Sequence, residues 1–207
     1  MKESSDELNS AEAVPAAPVT PRSRRTFGDY LALGIATCGV GYFPIAPGTL
    51  GAIVGVALYL PINAWSYQLL ETYALQHRLS MIDVLTPQLA LMLVVIFFVT
   101  MVGIWAATRA ERVLQRKDPS IVVIDEVAGQ MIALLSASVW FPTWRSLLSA
   151  FILFRLFDIW KPYPIRRLEA MESGLGIMAD DVLAGVYALI VNSVLISAYL
   201  LFFSSGR

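Results

Sequence analysis

The sequence predicts an all-α protein, a polytopic membrane helical bundle of about five spans with a short re-entrant or interfacial segment and a site on the cytoplasmic face. Three observations predict it: an apolar composition, uncharged runs long enough to cross a bilayer, and basic residues confined to alternate loops. Of 207 residues, 57% are hydrophobic and 15% charged, against roughly 45–50% and about 25% in soluble domains. The mean hydropathy is +0.65. A net charge of −1 with a pI near 5.8 excludes a nucleic-acid partner, which requires a concentrated basic surface.

Residues 1–28 form a tail rich in Ser, Glu, Ala and Pro, expected to be disordered and cytoplasmic, without the basic start and apolar run of a signal peptide. Residues 29–207 form a single membrane-embedded domain. Tyr30 to Tyr42 is apolar but short, and Pro44 and Pro47 interrupt it, so it reads as re-entrant or interfacial. Thr49 to about Trp65 is the first span. Leu89 to Ala107 and Val182 to Phe203 are uncharged and long enough, at about 1.5 Å per residue, to cross a core of about 30 Å. Between them, Ile121 to Pro142 and Leu147 to about Trp160 read as a helical hairpin turning at Phe141 to Arg145.

Orientation follows from lysine and arginine, which cytoplasmic loops retain in excess. Arg22, Arg24 and Arg25 precede the first span; Arg109, Arg112, Arg116 and Lys117 follow the second; Lys161, Arg166 and Arg167 follow the fourth. The alternate loops hold Arg78, Arg145 and Arg207. The amino terminus is therefore expected inside and the carboxyl terminus outside.

Four segments depart from ordinary spanning composition, and this topology brings all of them to the cytoplasmic face: Gly41 to Gly51, Asp118 to Glu126, Arg155 to Pro164, and Gly176 to Asp181. Asp125 and Glu126 lie in an apolar run, where an ionised carboxylate costs about 2.5–3.5 kcal/mol. Either they sit at a helix start, where the dipole favours acids, or one binds a divalent cation while the other acts as base or support. Neighbours on a helix point about 100° apart, which disfavours both facing one ion equally. Arg155, Asp158 and Lys161 recur at spacing three, which fits a local salt bridge with a snorkelling lysine, or a guanidinium fork for phosphate beside a metal-binding Asp158.

Asp180 and Asp181 precede the last span, where capping explains one acid and hard oxygen donors for magnesium explain two. Pro47, Gly48 and Thr49 open a helix whose N-H groups can face an anion, while Gly51 and Gly55 equally fit small-residue packing. Arg166, Arg167, Glu169 and Glu172 read as a solvated amphipathic surface. The lone Cys38 and lone His77 read as structural.

At these residues the sequence resembles the bacterial phosphatidylglycerophosphatase A family over about Asp29 to Tyr199. Pro44 with Ala46 to Gly51 resembles the family's first motif, Ile124 to Gly129 the second, Arg155 to Pro164 the third, and Gly176 to Gly185 the fourth. Ala52 stands where a serine commonly follows Gly51, and Ser173 replaces a usual glycine. The resemblance implies removal of the terminal phosphate of phosphatidylglycerophosphate to give phosphatidylglycerol in phospholipid biosynthesis, with Mg²⁺ as cofactor. It places the protein in the bacterial inner membrane with a phospholipid substrate.

The residue inventory agrees with that expectation. A cysteine phosphatase needs Arg six residues after its nucleophile, where Cys38 is followed by Pro44. A histidine lipid phosphatase needs two histidines, and no Asp-x-Asp-x-Thr motif is present. Hydrolysis by water remains, with Asp125, Glu126, Asp158, Asp180 and Asp181 supplying metal ligands and the base. Arg155, Lys161, Pro47, Gly48 and Thr49 are expected to hold phosphate. An ion-coupled transporter is the alternative, since broken helices and buried carboxylates also line transport paths. The sequence does not set an oligomeric state.

Overall fold

The computed structural model describes residues 25–140, 143–168, 171 and 173–204. The expected disordered tail, apart from its last residues, lies outside them. So do Phe141 and Pro142 of the expected turn, Glu169, Glu172 and Arg207.

The described residues form helices and no strands. They are α1 (Phe27–Thr37), α2 (Pro47–His77), α3 (Met81–Leu114), α4 (Ile124–Trp140), α5 (Trp144–Trp160), α6 (Ile165–Leu168) and α7 (Ser173–Tyr199). A 3₁₀ turn at Val40–Tyr42 leads into α2, and a π turn at Leu200–Ser204 follows α7.

With 11 residues, α1 is about 16 Å long, too short to cross a bilayer, as the interfacial reading requires. A capping box between Thr26 and Asp29 starts it, and Cys38 in the left-handed region ends it. Its amino end is pinned to α3, where Arg109 Nε donates to Asp29 Oδ1 at 2.8 Å. The Thr26 backbone N-H, the Arg109 guanidinium and the Thr26 hydroxyl hold the Asp29 carboxyl down at about 2, so the pair is charged at any physiological pH. Its carboxyl end is tied to the approach of α4 by the Val123 N-H, which donates to the Ala36 carbonyl at 2.8 Å.

Among the described residues three helices are long and apolar enough to cross a membrane, Pro47–His77, Met81–Leu114 and Ser173–Phe202. The sequence expectation was about five spans, and the two that this criterion leaves out are the hairpin helices. The hairpin helices α4 and α5 have 17 described residues each, about 25 Å, at the lower limit of the spanning range. The reason lies in where α4 sits. It is packed by α2, α3, α5 and α7 at once, and Val127, Ala128, Ala133, Leu134 and Ala137 are fully shielded. A helix covered by protein on every side need not match the bilayer thickness. By contrast, Val94, Phe97 and Phe98 of α3 are each about two-thirds exposed, as fits the outer face of a membrane-spanning helix.

Glycines set the close crossings around α4. A Cβ on Gly51 would lie 2.9 Å from the Val123 carbonyl, and one on Gly55 2.9 Å from the Val127 carbonyl, so α2 rests on α4 along small residues. A Cβ on Gly185 of α7 would lie 2.4 Å from the Gly129 carbonyl of α4. Ala52 is fully buried, its methyl part of the core where a hydroxyl would need a partner. Toward the far end, Asn192 is fully buried and satisfied by serines: it donates to Ser136 Oγ at 2.8 Å and accepts from Ser149 Oγ at 2.6 Å.

The residue expected to be glycine, Ser173, has φ +67°. This left-handed conformation costs a residue with a Cβ roughly 1–2 kcal/mol. Ser173 recovers part of that through its hydroxyl, which donates to Thr108 Oγ1 at 3.0 Å. Ser173→Gly is therefore expected to raise the unfolding temperature in detergent slightly, by about 0.5 kcal/mol of stability. A fall would show that the hydroxyl outweighs the strain.

Candidate active site

The helices alternate in direction, and the starts of α2, α4 and α7 meet the ends of α3 and α5 at one end of the bundle. A pocket of about 360 Å³ opens there. All four sequence segments contribute to it: Pro47 and Gly48 from the first, Asp118 to Glu126 from the second, Arg155, Asp158 and Lys161 from the third, and Gly176 to Asp181 from the fourth. The basic residues Arg112, Lys117 and Arg166 lie at this end, while Arg78 caps the far end of α2 and Arg145 starts α5 there.

The five candidate carboxylates divide into two groups. Asp125, Glu126 and Asp181 converge, each offering an oxygen within 4.8 Å of the other two. Asp125 Oδ1 and Glu126 Oε2 are buried and accept no hydrogen bond among the described residues. Asp158 and Asp180 are instead ion-paired. Arg155 Nη1 donates to Asp158 Oδ2 within the same helix, as the spacing of three implies. Lys161 Nζ donates to Asp180 Oδ2 at 2.7 Å, a pair between α7 and the residue that ends α5.

The sequence placed Asp180 and Asp181 ahead of the last span as possible caps. In the structure α7 begins at Ser173, so both acids lie two turns inside the helix and neither is its N-cap. Both are buried. Asp125 and Glu126 do occupy the first turn of α4, where the dipole favours them. Their 100° separation does not keep them apart, because their side chains bend toward Asp181 across the α4 and α7 crossing.

Gly48 is required at the pocket wall. A Cβ there would lie 2.3 Å from Glu126 Oε1 and 3.2 Å from Arg155 Nη2, so the bare backbone lets both side chains reach the start of α2. Thr49 lies outside the lining, and its N-H is donated to the Ala46 carbonyl at 3.0 Å. Pro47 has no N-H to offer. That leaves the Gly48 N-H, at the pocket wall in the first turn of α2, as the donor the turn can offer an anion. Glu111, Lys117 and Ser120 also line the pocket. Glu111 was not legible because its surroundings read as a basic topogenic cluster; here its Oε1 accepts from the Asp118 N-H at 3.0 Å and anchors the loop after α3.

Cys38 and His77 play no part in a nucleophilic mechanism. Burial, and then the Glu126 charge, push the Cys38 thiol up to about 11, so it carries no thiolate at neutral pH. His77 stacks on Tyr73 at the opposite end of α2, with ring centroids 4.3 Å apart.

The donor set fits a hard divalent cation. Three unit charges at separations of up to 4.8 Å repel one another by about 3 kcal/mol per pair at an effective dielectric of about 20. Asp125 Oδ1 and Glu126 Oε2 have no hydrogen-bond donor among the described residues, so their lone pairs are open to a cation. All candidate ligands are carboxylate oxygens, the type magnesium takes.

The family profile of Phosphatidylglycerophosphatase A matches residues 35–196. A Bacteroides thetaiotaomicron protein named "Putative phosphatidylinositol-3-phosphatase" is 39% identical over 156 residues, 75% of this chain and 87% of that one. A phosphatidylglycerophosphatase A of Haemophilus influenzae is 33% identical over 154 residues, covering 74% of this chain and 80% of its own. Its Escherichia coli counterpart is 29% identical over 151 residues, 72% and 73% of the two chains. No solved structure matches the chain. With the profile covering most of the chain, including every residue of the converging acidic trio, the chain belongs to the phosphatidylglycerophosphatase A family of membrane phosphoric monoester hydrolases.

Proposed function

We propose that this pocket hydrolyses the terminal phosphomonoester of phosphatidylglycerophosphate at the cytoplasmic face of the bacterial inner membrane, with Mg²⁺ held by Asp125, Glu126 and Asp181. Phosphatidylglycerol and inorganic phosphate are the products. The observation that carries the reading is the convergence of three carboxylates, two with buried oxygens lacking donors, beside an arginine and a lysine. Sidedness rests on the basic residues gathered at the pocket's end of the bundle.

When bound, the cation supplies Lewis-acid polarisation of a phosphoryl oxygen and offsets the charge of acids and substrate. The protein's own groups do the remainder. Arg155, its Nη2 beside Gly48, and Lys161 hold the phosphoryl oxygens that do not react. Asp158 and Asp180 keep those two cations aimed into the pocket. Each carboxylate of the trio would offer one oxygen to a bound cation, and the second oxygen of Glu126 would be left to take the proton from the attacking water. The new P-O bond forms to water, the bond to the glycerol oxygen breaks, and the departing alkoxide takes up the proton that Glu126 received from water.

A transporter would place its acids near the midplane with openings to both sides. Here the acids share one end with the helix termini that surround them.

The test is phosphate release by purified protein from phosphatidylglycerophosphate, phosphatidylinositol 3-phosphate and phosphatidic acid, with chelator and then with added Mg²⁺. Turnover of phosphatidylglycerophosphate is expected to vanish in chelator and return with Mg²⁺. Full turnover in excess chelator would reject the cation. Preference for the inositol lipid would move the substrate assignment toward the name its Bacteroides relative carries.

A further inference from the structure

Resting on the reading above, we propose that Lys117 forms a second anion subsite that receives the phosphodiester of the lipid headgroup, while the carboxylate trio and Arg155 receive the monoester. The protein then selects lipids that carry two phosphates in one headgroup over those that carry one.

The pocket's charge balance raises the question. Seven carboxylates line it against three cations, and two of those cations, Arg155 and Lys161, are already paired with Asp158 and Asp180. Lys117 makes no ion pair among the described residues, although it borders the acidic pocket. It also borders a second, shallow and open depression of about 390 Å³, lined by Glu111, Arg112, Gln115, Arg116, Lys117 and Ser173. Glu111, Lys117 and Ser173 line both, so the two are neighbours and Lys117 stands where they meet.

Topology alone accounts for Arg112 and Arg116 as exposed cations after a spanning helix. It does not account for the way the loop is built. Left-handed residues Gln115 and Asp118 turn the chain on either side of Lys117. The Asp118 N-H is held by Glu111 Oε1 at 3.0 Å, and the Val122 N-H by the Pro119 carbonyl at 2.8 Å. The opposite wall is held by the Ser173 hydroxyl and the Gly174 N-H, both donating to Thr108 Oγ1, at 3.0 and 3.1 Å. A cation on a fixed loop at the lip of the pocket is placed to meet the second anion of a substrate whose first has entered below.

Two members of the trio, Asp125 and Glu126, lie in the first turn of α4. Asp181 lies eight residues into α7, about 12 Å below its start. With the monoester at the trio, the phosphodiester lies one glycerol away, within the pocket that Lys117 also lines. Phosphatidylglycerophosphate and phosphatidylinositol phosphates both carry this pair of groups. Phosphatidic acid does not.

The test compares wild type, Lys117→Gln and Lys117→Arg with phosphatidylglycerophosphate in mixed micelles and Mg²⁺, with inorganic phosphate as competitor. Lys117→Gln is expected to raise KM for the lipid about tenfold with kcat nearly unchanged, to leave Ki for inorganic phosphate unchanged, and to be rescued by Lys117→Arg. A parallel rise in Ki for phosphate would place Lys117 in the monoester site and overturn the proposal, as would an unchanged KM. Absence of hydrolysis by the wild type would instead count against the proposed function. Lys117 is exposed, so its replacement leaves folding intact.

Discussion

Asp125→Asn, Glu126→Gln and Asp181→Asn are each expected to lower kcat on phosphatidylglycerophosphate by a factor of about 10²–10⁴ while the protein remains folded. The amide keeps the shape of the side chain and removes the charge that binds a cation. Stability moves the other way, because each substitution relieves repulsion within the converging trio and eases insertion of the apolar segment around it. Turnover and unfolding temperature in detergent should therefore separate: activity collapses and the unfolding temperature holds or rises. If all three variants stay within tenfold of wild type, the trio is not the reacting centre. Asp158→Asn should act differently, through the Arg155 it holds, raising KM more than it lowers kcat.

Gly48→Ala is expected to cost about a hundredfold in kcat, the order of loss that follows a displacement of about 1 Å in a catalytic group. Its Cβ would meet Glu126 Oε1 at 2.3 Å and Arg155 Nη2 at 3.2 Å, the flexible ends of two side chains assigned to the reaction. These can swing aside, so the helices stay packed while the site loses its alignment. Gly185→Ala provides the contrast. Its Cβ would meet the Gly129 backbone carbonyl at 2.4 Å, which cannot swing aside, and the expected loss is about 1–3 kcal/mol of stability. A Gly48→Ala protein with wild-type kcat would show that Glu126 need not approach α2 at all.

These expectations rest unevenly on the sequence. The gathering of four distant segments at one end was legible because basic loops report orientation, and orientation fixes which helix ends are neighbours. The Arg155 and Asp158 pair was legible from helical spacing. The pairing of Lys161 with Asp180 was not, since nineteen residues and the short helix α6 separate them. The start of α7 was misplaced because the last span was drawn as the uncharged run after Asp180 and Asp181, which left Gly174 and Gly176 outside it. In the structure they are helical residues in close contact, with Cβ positions 2.4 Å from the Ile104 carbonyl and 2.3 Å from the Met171 carbonyl. Small residues that permit helix packing and small residues that end helices look alike until the neighbour is known.

The enclosure of α4 bears on how this protein can vary among its relatives. Positions such as Val94, Phe97 and Phe98 on α3 face lipid and can exchange among apolar residues at little cost, since acyl chains conform to any of them. Positions on α4 answer to four protein neighbours at once, and a methylene gained or lost there must be matched on α2, α3, α5 or α7. Drift should therefore run fast along the outer faces of α3 and α7 and slowly along α4. Where α4 does change, the compensating substitution is to be sought across a helix contact rather than nearby in the chain.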